Sequence, residues 1–256
     1  IEIDPQHESA LVNLVTIILH APGRKKEAQI MLEQVLELNS QSAPLLNILG
    51  NAHKDLGHIE TALEYFQKAF TTNPEMISAY SNFLFISGYY TRASQDQLLQ
   101  AAKEYGKHAS ARAKNKYKKW QCQLPIEAST SKIRIGFVSG DLRKHAVTFF
   151  LEGLLRNIDK SRFELIAYPT QPHEDEISEL IKPHFIKWKS IFGKNDQEAA
   201  EIIHQDAPHI LFDLSGHTAG NRLPMFAYKP ISVSILLYRF VSVPALHRLP
   251  HHCLYN

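Results

Sequence analysis

Ile133-Arg134-Ile135-Gly136-Phe137-Val138-Ser139-Gly140-Asp141-Leu142-Arg143-Lys144-His145 is the stretch whose pattern sets the fold class. Its first six residues read as a short strand, and a polar loop follows. Val147, Phe150, Leu151, Leu154, Leu155 and Ile158 then recur at helical spacing, which predicts a helix over 146–158. The alternation continues downstream. Phe163 to Tyr168 reads as a strand, helices are predicted over 174–181 and 196–205 with a weaker strand near Phe185 to Trp188 between them, and His209 to Leu214 and Ile231 to Leu237 read as further strands. Strands alternating with helices imply a parallel sheet covered on both faces, with ligands beyond the carboxyl ends of the strands. Two polar loops fall there: Ser139 to His145, and Ser215-Gly216-His217-Thr218-Ala219-Gly220-Asn221-Arg222.

A different period governs the chain upstream. Asn13 and Asn47, Gly23 and Gly57, Ala28 and Ala62, Leu32 and Phe66, and Asn39 and Asn73 are each 34 residues apart. This is the period of a helix-turn-helix solenoid of the tetratricopeptide kind. Gly57 is placed to end one helix, Ala62, Phe66 and Ala69 share a face of the next, and Gly50 marks a close helix approach. Pro74 closes the repeat, a third helix follows over 77–87, and the pattern breaks at Gly88-Tyr89-Tyr90. Ile1-Glu2-Ile3-Asp4-Pro5, echoed from Leu36 to Ser40 and from Phe70 to Pro74, reads as the tail of an earlier repeat. Such an array is either a groove for a peptide or protein, or a structural stack. The expected divisions are repeats over 1–90, a helical connector over 91–131, a Rossmann-like lobe over 132–234 and a divergent tail over 235–256.

The connector is helix-compatible from Asp96 to Lys119 and ends in Arg112-Ala113-Lys114-Asn115-Lys116-Tyr117-Lys118-Lys119. A basic run with an aromatic suits phosphate or nucleic acid. A solvated linker helix is the plainer reading, because no series of stacking rings accompanies it. The whole chain carries 28 Lys plus Arg against 26 Asp plus Glu, a formal charge of +2, which argues against bulk attraction to nucleic acid or membrane. No apolar run reaches the ~18 residues of a spanning helix, and no secretory leader is expected. Cys122 and Cys253 cannot build a disulfide framework, so a reducing, cytoplasmic setting is expected.

The loops carry the chemistry. Their glycines permit close backbone approach, and amides at the following helix starts suit an anion. Neither loop is a dinucleotide or Walker fingerprint. Asp141 and His145, four residues apart across a strand-to-helix turn, suit a proton relay, with an N-cap Asp beside an incidental His as the alternative. Thr218 and Arg222, with His217, suit contact to a sugar or phosphate, or are simply polar loop. His204 and His209 with Asp206 make a weak case for a metal. His247, His251, His252 and Cys253 have zinc-binding donor types in a stretch without periodicity. No metal and no cofactor is expected.

The repeats, the loop after Ile133–Val138, and His209-Ile210-Leu211-Phe212-Asp213-Leu214-Ser215-Gly216-His217-Thr218-Ala219-Gly220-Asn221-Arg222-Leu223-Pro224 together resemble the protein O-linked N-acetylglucosamine transferases, glycosyltransferase family 41, in their bacterial form. The resemblance implies a tetratricopeptide solenoid followed by an α/β Rossmann-like lobe, half of a two-lobed glycosyltransferase B fold. It implies inverting transfer of N-acetylglucosamine from UDP-N-acetylglucosamine to Ser or Thr of proteins, with acceptor proteins presented by the repeats. Asp141 and His145 are implied at the sugar and acceptor end of the cleft, and Thr218 and Arg222 near the donor, where a cation helps neutralise the leaving diphosphate.

The chain departs from the family at Lys144-His145-Ala146, where Asn-His-Pro is usual, and at Ala102, where a His is common. After Ser234 the family's Trp-Leu-Gly-Tyr is replaced by Ile235-Leu236-Leu237-Tyr238, which reads as a shifted frame. The 125 residues from Lys132 suit one lobe, not two. The expectation is an inactive fragment that does not bind UDP at micromolar concentration and exposes an apolar face, with a non-catalytic tetratricopeptide scaffold as the alternative.

Overall fold

The computed structural model describes residues 41–89, 94–122 and 132–236, with a few single positions before residue 41. The opening phrase, Leu32, Asn39 and the tail from Leu237, including His247, His251, His252 and Cys253, lie outside the described residues. The chain divides into two units, Ile1–His108 and Ala109–Asn256.

The first unit contains α1 (Ala43–Asp55), α2 (Ile59–Thr72), α3 (Ile77–Ser87) and most of α4 (Gln95–Arg112). Ser42 caps α1, its hydroxyl accepting the Leu45 N–H at 3.2 Å. At the other end Gly57 takes φ +82°, and the Gly57 and His58 N–H groups donate to the Lys54 and His53 carbonyls, a Schellman close that turns the chain into α2. Gly50 is the close approach between α1 and α2: a β-carbon there would lie 2.5 Å from Phe66 Cε1. Phe66, Ala62 and Ala69 are fully buried, as the repeat pattern requires. Asn82 on α3 donates to Asn47 on α1 at 3.0 Å, which ties α3 to the preceding hairpin. Tyr80 on α3 stacks on Phe70 and donates to the Ala101 carbonyl of α4, and burial pushes its hydroxyl up to about 12.

The predicted helix to Lys119 ends instead at Arg112. Beyond it the chain is held by contacts that no helix would make. The Tyr117 N–H donates to the Tyr228 carbonyl at 2.9 Å, its ring stacks on His204 at 3.8 Å, and Trp120 Nε1 donates to the Lys229 carbonyl at 2.9 Å. This segment is a non-helical strap against the lobe and not a solvated linker helix.

The lobe runs β1 (Ile133–Ser139), α5 (Ala146–Asn157), β2 (Phe163–Pro169), α6 (Glu176–Ile181), a 3-10 turn, β3 (Lys187–Trp188), α7 (Asp196–Asp206), β4 (Ile210–Asp213), α8 (Leu223–Phe226) and β5 (Ser234–Leu236). All pairings are parallel and the order is β3-β2-β1-β4-β5. Side-chain alternation builds a core on each face. Val138, Ile166, Tyr168 and Leu211 face Ala199, Ala200 and Ile203 of α7 and Met225 and Phe226 of α8. Ile135, Phe137, Leu165 and Ala167 face Leu151 and Leu155 of α5 and Ile181 of α6.

The predicted apolar stripe of α5 is narrower than its sequence period. Leu151 and Leu155 are buried, while Phe150 and Leu154 are 59% and 49% exposed. Facing the sheet takes a stripe only one residue per turn wide, and Phe150 and Leu154 each lie one step, about 100°, off it.

Candidate active site at the switch point of the sheet

From β1 the chain winds outward through β2 to β3, and β4 returns on the other side of β1. The loops after β1 and β4 therefore meet at the switch point, where doubly wound sheets bind ligands. The sequence places both loops at carboxyl ends; the sheet order makes them neighbours. Gly140 N–H donates to Ser215 Oγ at 3.3 Å, and Leu214 N–H to the Val138 carbonyl at 3.0 Å. Thr170, at the end of β2, joins both: its N–H donates to the Ser139 carbonyl at 2.9 Å and its hydroxyl to the Gly220 carbonyl at 2.7 Å.

Asp141 and His145 lie on the first loop. The Asp141 N–H donates to Ser139 Oγ at 3.0 Å and its carbonyl accepts the Thr148 hydroxyl, bonds that fix the backbone of the loop. Burial pushes that carboxyl up, against the pull of His145 and Arg143. His145 caps α5, Nδ1 accepting the Val147 N–H at 3.3 Å, and the same atom is 3.7 Å from Asp141 Oδ2. The alternative of an N-cap Asp is thus reversed: His145 immediately precedes the helix, while Asp141 sits a turn too early. From outside, Asp175, the N-cap of α6, accepts the Lys144 N–H at 2.8 Å, and Ser178 donates to the Leu142 carbonyl at 2.8 Å.

The second loop is built over two fully enclosed titratable groups. Asp213, at the end of β4, accepts the Ser215 and Gly216 N–H groups at 3.3 and 2.7 Å, yet burial pushes its carboxyl up to about 7. Burial pushes the His217 imidazole down to about 3. Thr218 turns inward, its hydroxyl donating to the Ser215 carbonyl at 2.7 Å. Arg222 is directed to α7, Nη2 donating to the Lys194 carbonyl at 2.8 Å and lying 3.2 Å from Asp196 Oδ1. Its Nε is buried without a partner among the described residues. Asp141, His145 and Thr218 therefore lie on loops that meet, whereas the Arg222 charge is opposed by Asp196.

Spacing and motif do not mark Asp213 or Gln171 as residues of these loops. A charged residue inside the apolar run Ile210 to Leu214 was the available signal for Asp213. Gln171 has none, because it enters the site only through the position of β2.

His204, Asp206 and His209 have other duties. His204 stacks on Tyr117 with Nδ1 2.9 Å from the Pro230 carbonyl, and His209 Nδ1 accepts the Arg134 N–H at 2.9 Å. Asp206 accepts Lys187 and Lys189 at 2.6 Å each; burial pushes its carboxyl up, but those bonds outweigh burial and hold it below the usual range. No group of three or more His, Cys, Asp or Glu among the described residues is placed to hold a metal ion, and none of the described helices is long and apolar enough to cross a membrane.

A Rossmann-like lobe with a polar switch point, preceded by tetratricopeptide hairpins, is the class of protein these elements define. The profile of glycosyl transferase family 41 matches residues 107–245, more than half of the chain, and the chain belongs to that family. A tetratricopeptide repeat profile matches residues 43–76. The probable UDP-N-acetylglucosamine–peptide N-acetylglucosaminyltransferase SPINDLY of Oryza sativa subsp. japonica is 27% identical over 177 residues, covering 68% of this chain and 19% of that protein. The UDP-N-acetylglucosamine–peptide N-acetylglucosaminyltransferase of Caenorhabditis elegans is 30% identical over 115 residues, 43% of this chain and 10% of that protein. The chain thus spans about a fifth or less of these curated relatives. A mutant of the Thermobaculum terrenum O-GlcNAc transferase shares the fold, with a TM-score of 0.58 at 19% identity over 90% of this chain and 51% of that one.

Proposed function

We propose that the lobe supplies the sugar and acceptor side of an inverting protein O-GlcNAc transferase, which moves N-acetylglucosamine from UDP-N-acetylglucosamine to Ser or Thr hydroxyls. The observation that carries this is the meeting of the Asp141–His145 loop with the Ser215–Arg222 loop at the switch point of a family 41 lobe. In the transfer the acceptor oxygen bonds to the anomeric carbon as the bond to the diphosphate breaks, and UDP departs with the electron pair. Asp141 belongs to the relay that takes the hydroxyl proton. Its burial raises its proton affinity toward what a base at neutral pH needs. His145 contacts the reacting centre through Nε2, and the loop that carries Thr218 and Arg222 forms the donor side, with the Arg222 charge shared with Asp196. The repeats present the acceptor protein. A cytoplasmic setting belongs to the proposal, supported by the free thiol of Cys122. Nucleic acid is not a proposed partner, because the Tyr117 ring of the basic run is already stacked on His204.

The test is transfer of labelled N-acetylglucosamine from its UDP donor to a Ser/Thr-rich acceptor protein. Label incorporation that falls at least about a hundredfold in Asp141→Asn supports the proposal, general-base loss being of that order. The tetratricopeptide match over residues 43–76 supports a second reading, a tetratricopeptide scaffold without catalysis. Retention of acceptor protein with no incorporation of label selects the scaffold.

A further inference from the structure

Gly140 and Gly220 belong to different loops, yet one side chain fills the space beside both. A β-carbon on Gly220 would sit 2.1 Å from Gln171 Nε2, and one on Gly140 would sit 3.2 Å from its Cγ and 3.4 Å from its Nε2. Gly220 also takes φ +74°, a conformation that other residues rarely adopt. The bonds of Thr170 to Ser139 and Gly220 hold the tip of β2 against both loops, so the next side chain, that of Gln171, lies across the junction between them.

A carboxamide offers two donors and one acceptor oxygen. Gln171 uses none of them with a described residue, although it is half-buried, and its amide atoms are not among the buried polar atoms lacking a partner. The side chain packs along the two glycines, Nε2 over Gly220 and Cγ beside Gly140, and the amide atoms keep an accessible edge at the switch point. That is how a binding site places the few polar groups that give it specificity.

We propose that Gln171 reads the sugar ring at this edge, Nε2 donating to one ring hydroxyl and Oε1 accepting from its neighbour. Adjacent ring hydroxyls each donate and accept, so a pair of them satisfies both ends of the carboxamide. A phosphate oxygen accepts only and would leave Oε1 facing negative charge. The inference rests on the transferase reading and specifies which part of the substrate Gln171 meets: the sugar and not the diphosphate. The two glycines leave room for this side chain.

The experiment follows backbone amide resonances of the 256-residue chain during titration with N-acetylglucosamine and, separately, with inorganic phosphate. The Gly140, Gly216 and Gly220 amides are expected to respond to the sugar. Gln171→Ala is expected to weaken that response about three- to tenfold, the worth of one or two neutral hydrogen bonds, with the phosphate response unchanged. Gln171→Glu, which keeps an acceptor and loses the donor, is expected to weaken it as well. Unshifted resonances elsewhere in the lobe establish that each variant is folded. Equal sugar affinity in wild type and Gln171→Ala overturns the inference and leaves the transferase reading standing. An equal loss toward sugar and phosphate also overturns it, since the loops rather than the sugar contact would be disturbed. No response of the wild type to the sugar removes the transferase reading, and the inference with it.

Discussion

His145 Nδ1 faces two partners at once, the Val147 N–H at 3.3 Å and Asp141 Oδ2 at 3.7 Å, and it is the helix amide that it bonds. A nitrogen that accepts carries no proton, so the neutral ring holds its proton on Nε2. In that state His145 donates to the site and does not act as a base at Nε2. Under the proposed transfer this divides the labour of the pair, with Asp141 as the proposed proton acceptor and His145 as the proposed orienting group.

His145→Ala therefore removes a helix cap as well as a site contact. It is expected to lower the stability of the lobe by about 1 kcal/mol, measured by urea unfolding, while His145→Asn, a good capping residue, restores most of that loss. Transfer of label is expected to be impaired in both. Full transfer by His145→Asn would assign the residue to capping alone.

In the repeats, Gly50→Ala forces a methyl against the Phe66 ring, whose Cε1 lies 2.5 Å from the added carbon. Overpacking of this kind costs about 1–3 kcal/mol. The loss of helical circular dichroism is expected at lower temperature, and Phe66→Leu in the same chain recovers part of the shift. An unshifted transition in Gly50→Ala would mean that α1 and α2 do not pack through this contact.

Both periods of the fold were legible because each is local. Gly57, Ala62 and Phe66 announce the repeat by spacing alone, and the uncharged run Ile135 to Val138 announces a strand because the middle of a central parallel strand is buried on both faces. The end of α4 was not legible: Ala113 to Lys119 has helical composition, and what straightens it is the docking of Tyr117 on His204 and of Trp120 on Lys229, partners far away in the chain. The site was half legible. Asp141 and His145 follow from a strand-loop-helix pattern, but the contact of Gly220 with Gln171 depends on β2 and β4 flanking β1, which no periodicity encodes.

The strap is expected to stabilise the lobe. Trp120→Ala removes the bond to the Lys229 carbonyl and part of the cover over the α7 and α8 core, and is expected to cost about 1–3 kcal/mol. Replacing Lys118 and Lys119, both exposed, by Gln is expected to change stability by less than about 0.5 kcal/mol. Urea midpoints of the variants distinguish an anchored strap from a free linker, in which Trp120→Ala would also be neutral.

Asp213 and His217 pull the pH dependence of the lobe in opposite directions. Asp213, raised from 3.8 to about 7, holds its proton more tightly when folded, so its stabilising contribution is full below the ordinary carboxylate range and is lost as pH rises through about 7. His217, lowered from 6.5 to about 3, holds its proton less tightly when folded, so its contribution is present above the ordinary imidazole range and is lost as pH falls toward 3. Between about pH 4 and 6.5 the two slopes oppose each other and largely cancel. Removing either group exposes the other. Relative to wild type, Asp213→Asn is expected to lose stability as pH falls from 6.5 to 4, and His217→Asn as pH rises from 4 to 6.5. Each slope is bounded by about 1.4 kcal/mol per pH unit for one proton. Urea unfolding across this range measures both, and two variant profiles parallel to the wild type would mean that neither group is enclosed beneath the second loop.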